Sequence, residues 1–119
     1  MLDFGGARMQ LANEVVTYYH LEHGHAKSGI ALIGSWYIKS IASADRNGVT
    51  IGQSVQCRVP VENAPEGFVP CDMDMLVRGS CDAADVTDTQ LRRDCGAVTI
   101  QAVHDNRRGH MPHWKLEAV

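Results

Sequence analysis

Apolar and polar residues alternate with a period of two along much of this chain, the pattern of half-buried β-strands. It is clearest in "SVQCRVP", where Val55, Cys57 and Val59 fall on one face and Ser54, Gln56 and Arg58 on the other. Pro60 ends that strand, because proline has no N–H to give to a ladder. Upstream, "NEVVTYYHLE" (13–22) is dense in Val, Thr and Tyr, which suit a pleated surface, and predicts a strand. "HGHAKSG" reads as a polar tip. "IALIGSWYIKSIASA" reads as one long strand or two short ones broken near Gly34, with Trp36 and Ile38 on one face and Tyr37, Lys39 and Ile41 on the other. The pair Asn47-Gly48 is a strong hairpin signal and should turn the chain back into "SVQCRVP".

After Pro60 the period is lost. "VENAPEGFVPCD" carries two prolines and a glycine and predicts an irregular loop. "MDMLVRG" predicts a short strand leading to Gly79. "DAADVTDTQLRRD" is the one convincing helix. Thr87 and Gln90 are spaced for a capping box, acidic residues lie in the first turn, Arg92 and Arg93 in the last, and Gly96 sits at the stop. "AVTIQAVHD" and "HWKLEAV" predict two final strands joined by "NRRGHMP", with Trp114 and Leu116 inward and Lys115 and Glu117 toward solvent. Residues 1–12 show no period and read as an N-terminal arm before a single domain, 13–119. The sum is a mainly β protein: a small antiparallel β-barrel or sandwich of six to seven strands with one short helix and long loops.

Composition narrows the function. The chain of 119 residues is 45% hydrophobic and 21% charged, as an ordinary soluble globular domain is. Its formal net charge of -3 disfavours a protein that grips nucleic acid through counterion release. The longest apolar run, "GIALIGSWYI", falls short of the roughly 18 residues a membrane span needs and is interrupted by Gly34 and Ser35. "MLDFGGARMQ" lacks the charged and apolar regions of a signal peptide, so a cytoplasmic origin is the expectation. On that footing the four cysteines, Cys57, Cys71, Cys81 and Cys95, are expected as reduced thiols. None forms a tight knuckle suited to structural zinc.

Candidate chemistry is sparse. His20, His23 and His25 read as surface histidines of a loop tip. His104, His110 and His113 have only Asp105 as a close carboxylate, too little for metal-assisted or general-base catalysis. No nucleophile elbow, P-loop or dinucleotide fingerprint occurs. The reading therefore assigns no catalytic residues, no metal and no cofactor. The arginine pair Arg107 and Arg108, in a turn beside Asn106, can bind phosphate or carboxylate or can order the turn itself.

Four stretches, in order, carry a resemblance: "VTYYHL", "SWYIKS", "CRVP" and "AVTIQAVHDNRRGHMPHWKLEAV". The last is the most specific. Its Asp105, Asn106, Arg107, Arg108, Gly109, Pro112, His113, Trp114 and Lys115 follow a strand, Asp-Asn-Arg-Arg-Gly, short turn, Pro-His-Trp-Lys pattern. "MDMLVRGSCDAADVT" fits the segment before the family's helix. Over residues 13–119 the chain resembles the small head–tail connector proteins of tailed bacteriophages, the minor capsid, head-closure or stopper proteins. Its N-terminal arm and its cysteines depart from the pattern.

The resemblance implies a non-enzymatic virion protein of the neck, assembled in the host cytoplasm. It implies a homo-oligomeric ring between portal or adaptor proteins above and tail proteins below. Packaged DNA would pass through or be retained without sequence-specific binding, and no membrane is involved. The nine C-terminal residues would be a structural and interface motif. The loop Val61 to Cys71 and the tip Glu22 to Gly29 are the candidate contact or channel segments. A tail-completion or tail-terminator ring is the alternative within that class. A small barrel binding single strands through Trp36, Tyr37 and the arginine pair is an alternative from another, and a zinc-dependent enzyme is more distant.

Overall fold

The computed structural model describes residues 14–45 and 48–119, and within 40–52 it describes strand pairing only. The N-terminal arm (1–12) and the Asn47 half of the predicted Asn47-Gly48 turn lie outside the described residues. The described residues form seven strands: β1 (Glu14–Glu22), β2 (His25–Asp45), β3 (Gly48–Pro60), β4 (Met75–Arg78), β5 (Val86–Thr87), β6 (Val98–Asn106) and β7 (His113–Ala118). Every pairing is antiparallel. The order β1-β4-β6-β7-β3-β2 closes on itself through the β1–β2 pairing, and β5 adds a short strand beside β2. Closure removes the free edges that an open sheet would leave. The predicted barrel of six to seven strands is therefore the fold.

Alternation decides what enters the barrel. Val55, Cys57 and Val59 of β3 and Trp114, Leu116 and Ala118 of β7 are buried together with Val16, Tyr18, Leu32, Leu76 and Ile100. Lys115 and Glu117 lie half-exposed between the inward residues of β7. In the sealed interior the Cys57 thiol is pushed up to about 12, chiefly by burial, so it is an unreactive thiol there.

A second apolar cluster sits outside the barrel wall. Tyr19 on β1 and Met75 and Val77 on β4 point outward and meet Leu91 of the helix α1 (Asp88–Cys95). This is why Val16, Thr17, Tyr18 and Tyr19 are buried in succession, with no polar face on that stretch of β1. The helix ends where its sequence signals lie. The Thr87 hydroxyl accepts from the Gln90 N–H at 3.2 Å, Gln90 Oε1 accepts from the Thr87 N–H at 2.9 Å, and Gly96 closes the helix at φ 68°.

One expectation changes, and the structure chooses the long-strand alternative for another segment. The tip Glu22 to Gly29 is reduced to a two-residue turn, His23-Gly24, with φ of 54° and 74°. A tight hairpin turn of this hand needs positive φ at both positions, and glycine supplies only one of them. From His25 the chain is already strand. β2 is one strand of 21 residues, unbroken at Gly34. Gly34 is instead a point of close approach: a Cβ there would lie 2.7 Å from the Arg58 carbonyl oxygen on β3. β2 also bulges where Lys27 and Ser28 together face His20, and the Lys27 carbonyl accepts from the Asp85 N–H at 2.9 Å.

Candidate functional site

The C-terminal motif forms the β6–β7 hairpin and its turn. Asp105 pairs with Trp114, and Asn106 with His113, across the two strands. Arg107 folds back on both. Its Nε and Nη2 donate to the two carboxylate oxygens of Asp105, each at 2.7 Å, and its backbone N–H donates to Oδ1 at 3.2 Å. Its guanidinium stands 4.5 Å from the centre of the Trp114 ring. The guanidinium holds the Asp105 carboxyl below the usual carboxylate range. His113 Nδ1 lies 2.7 Å from the Met111 carbonyl oxygen and its Nε2 lies 3.3 Å from the Asn106 amide nitrogen, so the ring is held between the two. Pro112 presents its carbonyl to the Val61 N–H at 3.0 Å, tying the turn to the long loop.

Arg107 is thus engaged within its own hairpin and is not an open phosphate site. Arg108 and Gly109 are exposed at the tip, and Arg108 makes no ion pair among the described residues. Lys115 lies 4.0 Å from Glu117, whose other neighbour is His104 at 2.6 Å. The structure therefore gathers Asp105, Asn106, Arg107, His113 and Trp114 into one constellation and leaves Arg108 and Gly109 facing outward.

The loop Val61 to Cys71 is divided between two jobs. It opens with a 3-10 turn, Val61–Asn63, and then lays Ala64 and Phe68 against the barrel interior. The Phe68 ring meets the Tyr18 ring edge-on at 5.0 Å. Its far end leaves Val69 and Met73 largely exposed.

Beneath that loop lies a constellation that local patterning does not reveal. Asp74, 3% exposed, accepts from the Tyr18 hydroxyl, from His20 Nδ1 at 3.1 Å and from the Leu21 N–H at 3.0 Å. The Tyr18 oxygen in turn accepts from the Cys71 N–H at 2.9 Å. Burial first, then the hydrogen bond to Asp74, drives the Tyr18 hydroxyl well above its ordinary pKa, so it stays a donor. In these contacts Tyr18 and Asp74 act as a clamp that holds the loop to β1.

His20 is pushed above its ordinary value by its hydrogen bond to Asp74 and by that carboxylate's charge, against a smaller opposing effect of burial. A raised folded-state pKa means that the stabilisation is complete below the unfolded value, roughly 6.5. It fades as pH climbs through the higher folded value. Wild-type protein should therefore lose melting temperature relative to a His20→Gln variant between pH 6 and pH 8. Thermal melts that keep a constant difference across that range would refute the coupling.

The remaining thiols are free. Among the described residues, no three His, Cys, Asp or Glu side chains converge as a metal-binding group, and no helix is long and apolar enough to cross a membrane. No curated protein and no solved structure matches the chain. The match that exists is to a family's sequence pattern, and it takes in the barrel, the clamp and the C-terminal hairpin together: over residues 11–119 the chain belongs to DUF6751, a family of unknown function.

Proposed function

We propose that this protein is a non-enzymatic structural subunit of the head–tail joint of a tailed bacteriophage, forming a ring that links portal or adaptor to tail and helps close the DNA channel. The observation that carries the reading is the long β2–β3 hairpin. Among the described residues, β7 pairs with β3 from Val55 to Pro60, and β1, described from Glu14, pairs with β2 as far as Gly34. Beyond those limits β2 and β3 pair with each other, from Lys39 with Ser54 out to Asp45 with Gly48. This arm runs about 20 Å past the barrel at the usual strand rise.

Among the described residues both outer edges of the arm are unpaired. A bare two-stranded ribbon is marginally stable by itself, and its open edges invite strand addition from another chain. One edge meeting the opposite edge of a neighbour is a head-to-tail contact, the kind that closes into a ring. Tyr37 and Ile38, both well exposed at the base of the arm, add apolar surface to such a contact. The C-terminal motif resembles that of the connector proteins and supports the same class. The acidic balance suits a channel wall that must release DNA. A strand-binding barrel is less favoured, since Arg107 is engaged by Asp105 and Trp114, and Trp36 packs against the core.

The test is particle composition and arm removal. Mass spectrometry of virions made by the phage encoding this chain should find it, and imaging should place it in a ring at the neck. A variant with residues 40–53 replaced by a two-residue turn should keep the circular dichroism of the barrel and be missing from particles. Virions lacking the wild-type chain would overturn the proposal. Contact with the tail tube alone would favour the tail-completion reading.

A further inference from the structure

Outside the barrel, Cys81 and Cys95 bring their sulfur atoms to 3.2 Å, within hydrogen-bond contact. They come from different elements. Cys81 lies in the irregular segment between Gly79 and Asp85, both at positive φ, and Cys95 is the last residue of α1. The Tyr19 hydroxyl fixes the first segment, donating to the carbonyl oxygens of Ala83 at 2.9 Å and Cys81 at 3.3 Å. Both thiols are half-buried against the outer apolar cluster. Cys81 also lines an open groove of about 380 Å³ with Thr17, Gly29, Ala31, Ser80 and Asp82, wide enough for a small reagent to approach this residue.

We propose that Cys81 and Cys95 are a reversible dithiol–disulfide site, oxidised by low-molecular-weight disulfides such as oxidised glutathione, whose closure staples α1 to the segment beside it. A disulfide needs its sulfurs at about 2.05 Å, so a movement of roughly 1.2 Å suffices, far less than an unpaired couple of cysteines would need. The Cys81 thiolate attacks one sulfur of oxidised glutathione and expels one glutathione thiolate, leaving a mixed disulfide on Cys81. The Cys95 thiol then loses its proton to solvent, attacks the Cys81 sulfur and expels the second glutathione. Two protein thiols are oxidised by two electrons, and one glutathione disulfide is reduced to two thiols.

The division of roles follows from the surroundings. Burial opposes the Cys81 thiolate, but the nearby Tyr19 hydroxyl, which can turn from the Ala83 and Cys81 carbonyls to the sulfur once it ionises, the Ala83 N–H and the Cys95 thiol outweigh it and hold this thiol below the usual range. Cys95 is pushed up to about 11, first by its hydrogen bond to Cys81 and then by burial. Cys81 is therefore the attacking thiol and Cys95 the resolving one. This site is independent of ring formation.

The experiment uses full-length protein carrying Cys71→Ser, which removes the exposed thiol. It is incubated in glutathione buffers of graded oxidation, alkylated under denaturing conditions and weighed intact. Oxidation should remove two alkylatable thiols together, peptide mapping should join Cys81 to Cys95, and dithiothreitol should restore both. The added Cys95→Ser variant should stop at one glutathione adduct on Cys81. Closing a loop of this length should raise the melting temperature by on the order of 5 to 10 °C. Two thiols that remain alkylatable in oxidised buffer, or a crosslink that lowers the melting temperature, would overturn the proposal.

Discussion

Replacing Asp74 with alanine is expected to destabilise the protein by about 3 kcal/mol, a large part of the stability of an ordinary domain. The carboxylate is 3% exposed, and three donors converge on it. Two of them, the Tyr18 hydroxyl and the Leu21 N–H, lose this acceptor once alanine is in place. An orphaned buried donor costs about 1–3 kcal/mol, which sets the scale. His20 adds less, because its ring is more than half exposed. The damage should spread along the loop, since the Tyr18 oxygen anchors the Cys71 N–H and the Asp74 carbonyl accepts from the Ile100 N–H at 2.8 Å. Asp74→Asn keeps one acceptor oxygen and should fall between wild type and alanine. Tyr18→Phe, which keeps the Phe68 contact, should cost about 1–2 kcal/mol. Urea unfolding measures all three. An alanine variant within about 0.5 kcal/mol of wild type would mean that the clamp contributes nothing net.

The clamp also marks where sequence reading stops. Strand β3 was legible because Val55, Cys57 and Val59 face one sealed interior while their neighbours face out. The helix was legible because capping box and terminal glycine are local signals only a few residues apart. Asp74, by contrast, meets Tyr18, His20 and Leu21 across 53 to 56 residues of chain, and no periodicity encodes that distance. The run Val16 to Tyr19 looked like any strand, yet it is buried on both faces because Leu91 of a helix formed much later covers its outside. The His23-Gly24 turn hid for a different reason. A residue other than glycine at positive φ is uncommon, so a seven-residue polar stretch looked like a loop when two residues suffice to turn it. The cysteine pair lay in plain view, but a separation of 14 residues gives no hint of contact between sulfur atoms. In the C-terminal motif, ordering the turn was one of the readings left open for the arginine pair, and its division between the two residues depended on which one could reach Trp114.

Truncating Trp114 to alanine should destabilise the fold by about 3–5 kcal/mol, the usual result of emptying an aromatic site in a packed core. The indole is 5% exposed in the same cluster as Leu116 and Val59, and its strand is held on both sides, by Val59 of β3 and Asp105 of β6. A cavity there cannot collapse easily, because the closed barrel fixes the spacing of both neighbouring strands. Trp114→Phe should retain most of the packing and cost clearly less. The same ring is the floor on which Arg107 lies, so the alanine variant also frees that guanidinium from its stacked position and loosens its grip on Asp105. Arg107→Ala, made at the exposed rim, should change stability only slightly, because the ion pair it removes is screened by solvent. Arg108→Ala should leave stability untouched and, if the turn contacts a neighbouring subunit, reduce incorporation into particles. Chemical denaturation of the four variants beside a particle-incorporation assay separates these roles. A Trp114→Ala protein as stable as wild type would show that the hairpin packs elsewhere than in the barrel. An Arg107→Ala protein as unstable as Trp114→Ala would show that the guanidinium, and not the indole, holds the two strands in place.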